Sequence, residues 1–214
     1  SSSAASDVYK RQISSFNNAG IDILGGGRSL APYRDNVLLN LSTCFLIISG
    51  GIGFLVMVDV VKCRFRFRKF TLHSKVVVTT TAFLLAAGTL LLKFTDPLSW
   101  LTAFFLSVSA RTAGFATLDL GTLSNAGLFT ILILMFIGAS PGSTGGGIKI
   151  SRIIIMCKTA KQDLMRVLHP HAVTTVRFEG KPLDDKTVFG VRTYMNLYLV
   201  TVSYTHLRAH ETRE

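Results

Sequence analysis

Charge is what this sequence is short of. Asp, Glu, Lys and Arg make up only 16% of its 214 residues, against about 25% in ordinary soluble domains. Apolar residues make up 49%, mean hydropathy is +0.44, and the apolar positions come in blocks rather than alternating with polar ones. That pattern points away from a soluble domain and toward a membrane protein. Cysteine is scarce too. Cys44, Cys63 and Cys157 lie inside apolar runs or at their basic ends, with a spacing that suits neither a zinc site nor a disulfide framework, so they read as small hydrophobes. His73, His169 and His171 fall in or beside polar loops without ligand spacing and read as solvated. No carboxylate pair, nucleophile–base arrangement or metal cluster stands out, so the chain is expected not to be an enzyme and to bind no cofactor.

The charge that is present is mostly positive, 23 Lys and Arg against 12 Asp and Glu, a net +11. On a soluble protein this would suggest nucleic acid. Here the main cluster, Lys62, Arg64, Arg66, Arg68 and Lys69, is wedged between two apolar runs, as in a cytoplasmic loop under the positive-inside rule. No segment supplies the soluble face that a nucleic-acid patch needs. The expected partner of the apolar runs is the lipid bilayer, with several crossings.

The first long apolar block runs from Asn36 to Val61, ample for the ~20 residues that span a bilayer. Its "SGGIG" at Ser49–Gly53 marks a kink or a close helix contact, since small residues let backbones approach. A basic segment, 62–75, follows. The next apolar run, Val76–Leu92, is closed by Lys93, which snorkels to the interface, and by Asp96-Pro97. Leu98–Ser109 is too short to cross and leads into "SARTAGFATLDLGTLSN", the pattern of a re-entrant helix that dips in and returns. Asn125–Ile137 enters again, "FIGASPGSTGGGIKI" interrupts, and Ile148–Cys157 completes the crossing before Lys158, Lys161 and Arg166 mark a second cytoplasmic segment.

The expected fold class is therefore an all-α membrane protein of repeated helix–re-entrant loop–helix units, truncated at its ends. Residues 13–61 hold the end of one unit and 76–158 hold a complete one. Residues 159–187 form a cytoplasmic linker, with some strand or hairpin character over Arg166–Pro182, and 188–202 open a further unit. The terminal stretches 1–12 and 203–214 look like translated sequencing-adapter tails.

Two short polar stretches, "ISSFNNAGIDILGGG" and "VSARTAGFATLDLG", lie about 95 residues apart, centre on an Ala-Gly pair and precede a spanning helix. They read as an internal repeat. Unpaired backbone at membrane depth costs several kcal/mol per group and survives only in protein or along a wet cavity. A ring of inward carbonyls there replaces the hydration shell of a cation. Thr112, Ala113, Gly114 and Phe115 fit that task. Gly114 permits the angles that aim carbonyls at one axis, and Phe115 wedges the strand. Asn18, Ala19, Gly20 and Ile21 are the parallel stretch.

The segment "SARTAGFATLDLGTLSNAGLFTILILMFIGASPGSTGGGIK" closely resembles the TrkH/KtrB (Trk/Ktr/HKT) superfamily of potassium-translocating membrane subunits, and "ISSFNNAG" is similar to its filter region one repeat earlier. The resemblance implies four helix–pore-loop–helix repeats around one pathway, of which this chain holds the filter and second helix of the second, all of the third and the start of the fourth. It implies potassium as the transported ion, a multi-pass subunit of the cell (inner) membrane, a homodimer, and a cytosolic nucleotide-binding regulatory subunit of TrkA/KtrA type. Gly20 and Gly114 match the filter glycines, and potassium would meet the carbonyls of Gly20, Thr112 and Gly114. Ile21 departs from the Phe usual after that glycine.

The broken helix reads as a gating loop made of Gly138, Ser140, Pro141, Gly142, Ser143, Thr144, Gly145, Gly146 and Gly147. Its glycines and Pro141 stop the helix, and its hydroxyls satisfy freed backbone groups. A nucleotide-binding P-loop needs G-x-x-x-x-G-K-[ST] after a strand. Here Ile148 stands where Lys belongs and Lys149 is one residue late. A secondary carrier with discontinuous helices is the other alternative; the filter-like loops that accompany the break favour a pore. Arg111 either sets the field near the filter or makes an interhelical pair, and Asp59 reads as a snorkelling or paired carboxylate.

Overall fold

A computed structural model of the chain describes residues 2–21, 30–64, 66–169, 177–178 and 181–211. It divides into two units, Ser1–Ser151 and Arg152–Glu214.

In the first unit the apolar blocks become helices whose ends are set by capping side chains. The 24-residue helix Leu72–Thr95 (α4, after α1 Ser2–Phe16, α2 Val37–Ile52 and α3 Phe54–Lys62) is about 36 Å long, enough to cross the ~30 Å hydrocarbon core. It is longer than the 76–92 run because the Thr71 hydroxyl accepts the Ser74 N–H at its start, and it stops at Asp96 before Pro97. His73, expected to be solvated, is half-buried in its first turn.

The block 36–61 differs from the single span expected of it. It forms two helices, α2 and α3, bent by 98° at Gly53. Gly53 has φ +93°, which a helix cannot propagate. The "SGGIG" stretch thus supplies both of the features it suggested, a bend and a close contact.

Ser99 caps α5 (Trp100–Ala110) and Ser124 caps α6 (Asn125–Phe136), accepting the N–H groups of Thr102 and Gly127 at 3.1 Å each. At about 16 and 18 Å these helices cross no membrane alone. α5 is buried almost all round: Phe105, Leu106, Ser107 and Val108 are each 3% exposed or less. It lies among α2, α4 and α6, with Phe105 and Val108 in a cluster with Cys44, Ile47 and Leu85, and Ala103 and Leu106 in another with Leu92 and Ile131. Close approach depends on Gly88, where an added Cβ would come within 2.8 Å of a Leu134 methyl. The Ser107 hydroxyl bonds the Leu85 carbonyl at 3.1 Å beside it.

Two carboxylates fasten helix ends. Asp96 is buried and accepts the Ser124 N–H at 2.8 Å and its hydroxyl at 3.1 Å, placing negative charge at the N-terminus of α6. Asp59 accepts the N–H and hydroxyl of Thr71, each at 2.9 Å, and so ties the end of α3 to the start of α4 across the basic loop. Lys93 donates to the Leu98 carbonyl and stands 5.7 Å from the Trp100 ring. Large apolar side chains such as Leu38, Phe45, Phe83 and Phe94 are 70% exposed or more, an outer surface suited to lipid rather than water.

The helix α7 (Ile150–Leu168), most of which belongs to the second unit, continues past the 148–157 run into the segment read as linker. A two-residue antiparallel hairpin, β1 (Arg177–Phe178) with β2 (Lys181–Pro182), pairs Arg177 with Pro182 and Phe178 with Lys181. This small β element falls where hairpin character was expected. Residues 170–176 and 179–180 of the linker, with His171, lie outside the described residues. α8 spans Asp185–Glu211, beyond the 188–202 run on both sides. Arg152 stacks on the Tyr194 ring at 3.9 Å, and Arg192 pairs with Asp163 at 3.6 Å. Both terminal stretches set aside as tails are helical where described, α1 starting at Ser2 and α8 running to Glu211.

Candidate ion filter and gating loop

Each of the two filter stretches follows a helix end. After α1, the Ser14 carbonyl receives the Ala19 N–H at 2.9 Å; after α5, the Ser109 carbonyl receives those of Ala113 (3.0 Å) and Gly114 (3.3 Å). The turns share an unusual backbone. Asn18 and Gly20 have φ +51° and +63°, Thr112 and Gly114 +80° and +78°, while Ala19 and Ala113 between them do not. At the equivalent positions Asn18 adopts the left-handed region at little cost, whereas the β-branched Thr112 is strained there. Alternation in the sign of φ lets successive carbonyls face one side of the chain. The turns meet at their glycines: a Cβ on Gly20 would strike the Ala113 carbonyl and lie 3.1 Å from the Gly114 Cα.

Their surroundings differ. Ala113 and Phe115 are 1% and 5% exposed, and the Ser109 hydroxyl bonds the Phe115 carbonyl. Ile21 is 61% exposed, and its N–H donates to the Ser14 hydroxyl at 3.0 Å.

The Gly-rich stretch is a closed loop with a zipped neck. Ile137 and Ile148 form a parallel bridge; Gly138 N–H donates to Ile148 O (3.1 Å), Ala139 to Gly146 O (3.3 Å) and Ile150 to Ala139 O (3.3 Å). The strands of the neck are so close that a Cβ on Gly147, at φ +69°, would lie 2.8 Å from the Gly138 Cα. The tip, Ser140–Thr144, sits in the break between α2 and α3. Ser140 N–H donates to Gly51 O (3.2 Å), Thr144 N–H to Gly50 O (3.3 Å), and Phe54 N–H to Gly142 O (3.1 Å). The Ser140 hydroxyl reaches Ile52 O. The carbonyls and N–H that a continuous helix would have used internally are thus satisfied by the loop. A Cβ on Gly53 would come within 2.7 Å of the Ser140 hydroxyl oxygen, and one on Gly50 within 2.9 Å of that of Thr144.

The loop also touches both filter turns. Thr144 donates its hydroxyl to Phe16 O at 3.0 Å and accepts from the Asn18 amide at 3.2 Å. Gly146 N–H donates to the Thr112 hydroxyl at 3.2 Å. Ser143 bonds Ser140 O at 2.6 Å, and the Lys149 ammonium holds the Gly145 carbonyl. Arg111, left open between two roles by the sequence, donates to Gly138 O at 3.3 Å. The seat between α2 and α3 is what sequence reasoning missed as part of the site. Its signal was the pair of glycines in "SGGIG": a Cβ on Gly53 would collide with the loop, and one on Gly50 with the loop and with the Phe16 carbonyl. A phosphate loop is disfavoured by geometry as well, since helix α6 rather than a sheet strand leads into the stretch.

The helices α1 and α5, each leading into a turn of alternating φ, together with a loop lodged in a broken helix, define a pore-loop architecture of helix–re-entrant loop–helix type. The family model for TrkH, described as a cation transport protein, matches residues 7–97 and 75–209, and the chain belongs to that family. Among curated relatives, the potassium/sodium uptake protein NtpJ of Enterococcus hirae is 41% identical over 157 residues, covering 67% of this chain and 34% of that protein. Ktr system potassium uptake protein B of Bacillus subtilis is 39% identical, with the same coverage. The crystal structure of the potassium transporter TrkH from Vibrio parahaemolyticus superposes with a TM-score of 0.75 at 24% identity, over 87% of this chain and 41% of that one. The chain spans about a third of the length of the curated relatives it matches.

Proposed function

We propose that the chain is part of the pore-forming subunit of a Trk/Ktr-type potassium uptake system, a multi-pass protein of the cell (inner) membrane. Potassium is its substrate, passing down a pathway where the carbonyls of Gly20, Thr112 and Gly114 replace part of the hydration shell. The loop Gly138–Gly147 is the internal barrier to that flow. The subunit works as a homodimer with a cytosolic nucleotide-binding regulatory partner, and the names of the relatives, which include parts of Ktr and Trk systems, support a multi-component assembly. The observation that carries the proposal is the repeated alternation of φ at Asn18/Gly20 and Thr112/Gly114, in turns that both touch one loop. A β-branched residue held in the left-handed region, as Thr112 is, is the kind of strain that clusters at functional sites.

The test is complementation of a potassium-uptake-deficient strain by the full-length gene carrying this segment, co-expressed with its regulatory subunit. Growth at limiting potassium is the expected result. Failure to rescue despite normal membrane insertion would overturn the proposal.

A further inference from the structure

Arg111 is 9% exposed, at the end of α5, one residue before the Thr112–Phe115 turn. Ile47, Thr81, Leu85 and Val108 lie around it, and among the described residues no carboxylate pairs with it. Its Nε has no partner, and its one hydrogen bond runs from Nη2 to the Gly138 carbonyl. The next residue, Thr112, accepts the N–H of Gly146. Gly138 and Gly146 stand on opposite strands of the loop's neck, whose own ladder is only three backbone bonds. Two consecutive side chains, one at the end of α5 and one opening the filter turn, therefore grip both sides of the neck.

We propose that Arg111 and Thr112 form a clamp that holds the neck of the gating loop closed, with Arg111 acting as a positioning residue for the loop. The physical basis is the cost of a buried cation. A guanidinium carries five donors, and in apolar surroundings each unmet donor is expensive. Parting the neck would take from Arg111 the one acceptor it has, so the closed neck is favoured by a charge-assisted bond that water cannot easily replace. The Thr112 hydroxyl adds a neutral bond on the other strand. With the clamp in place, motion is confined to the tip, Ser140–Thr144. This rests on the reading of the loop as the barrier to flow, but its geometry can be tested apart from that reading.

The test uses the full-length protein in membrane vesicles, cysteine-free apart from Ser143→Cys, with two readouts: labelling of the new cysteine by a charged methanethiosulfonate, and potassium flux. Arg111→Gln and Thr112→Val are each expected to speed labelling about tenfold, as loss of one buried hydrogen bond implies. Arg111→Lys and Thr112→Ser, which keep a donor and a hydroxyl, should stay near the parent rate. Potassium-over-sodium selectivity should be unchanged in Arg111→Gln. Unchanged labelling in both disrupting variants overturns the clamp, and so does a selectivity change in Arg111→Gln without faster labelling, which would make Arg111 a field-setting residue. If Arg111→Gln does not insert, the Val and Ser variants of Thr112 decide. Faster labelling without greater flux sustains the clamp and instead removes the loop's role as barrier.

Discussion

The two filter turns have one backbone and two environments. In the second, Ala113 and Phe115 are part of the core cluster with Cys44, Ile47 and Phe105. In the first, Ala19 and Ile21 are exposed, and the turn is held by serine, by Thr144 and by contact with its counterpart. The alternation of φ is therefore not imposed by burial. It follows from a helix end, a glycine two residues after a left-handed residue, and serine groups that collect the freed N–H donors. Burial is added by neighbours and fixes how firmly each turn is held.

The sharpest contrast lies at the residue after each glycine. Phe115→Ala should destabilise the protein by about 3–5 kcal/mol, as expected for a buried aromatic, whereas Ile21→Ala should stay within about 0.5 kcal/mol. Thermal unfolding of the purified protein in detergent reads both, and equal losses would erase the distinction drawn between the turns.

Next come the glycines themselves. A side chain at either position meets the strain of the left-handed region, about 1–2 kcal/mol, but at Gly20 it also meets the Ala113 carbonyl, while at Gly114 the nearest atom is 3.6 Å away. Gly20→Ala should therefore reduce folded yield more than Gly114→Ala. Gly114→Ser should leave a folded protein with lower potassium-over-sodium selectivity in ion-flux assays. Unchanged selectivity would remove Gly114 from the ion path.

The smallest effect expected separates the turns through the loop. Thr144→Val removes the bonds to Phe16 and Asn18 but leaves the Gly146–Thr112 bond in place. A loss of about 1 kcal/mol should appear as faster amide hydrogen exchange in residues 17–21 and not in 111–115.

Much of this was legible in sequence because it is encoded locally. The length of the apolar run gave α4, the 12-residue block gave the short helix α5, and the glycines with Pro141 gave the interruption before α7. The matched Ala-Gly pairs gave the two turns, and the family resemblance gave their proposed role as filter residues. The seat of the loop was not legible as a site, because bonds such as Ser140 to Gly51 join residues about 90 positions apart and leave no periodic trace. Asp96 shows the same limit. Its sequence context, before Pro97, says that a helix ends, whereas its carboxylate also starts α6 through Ser124. The 98° bend at Gly53 was underestimated as a kink, since a glycine pattern records permission to bend but not the partner that occupies the opening.

The seating of Ser140–Thr144 in the break at Gly53 has a consequence for how such proteins can vary. Lock and key are written in separate stretches of the gene, and they constrain each other: a side chain at Gly53 would meet Ser140, and one at Gly50 would meet Thr144 as well as the Phe16 carbonyl. A chimaera that takes the bent helix from one relative and the loop from another inherits half of a fitted pair. Changes at the two places are thus expected to be tolerated jointly or not at all, as for contacting residues generally. The heritable unit is the fitted pair, although the chain visits its halves almost a hundred residues apart.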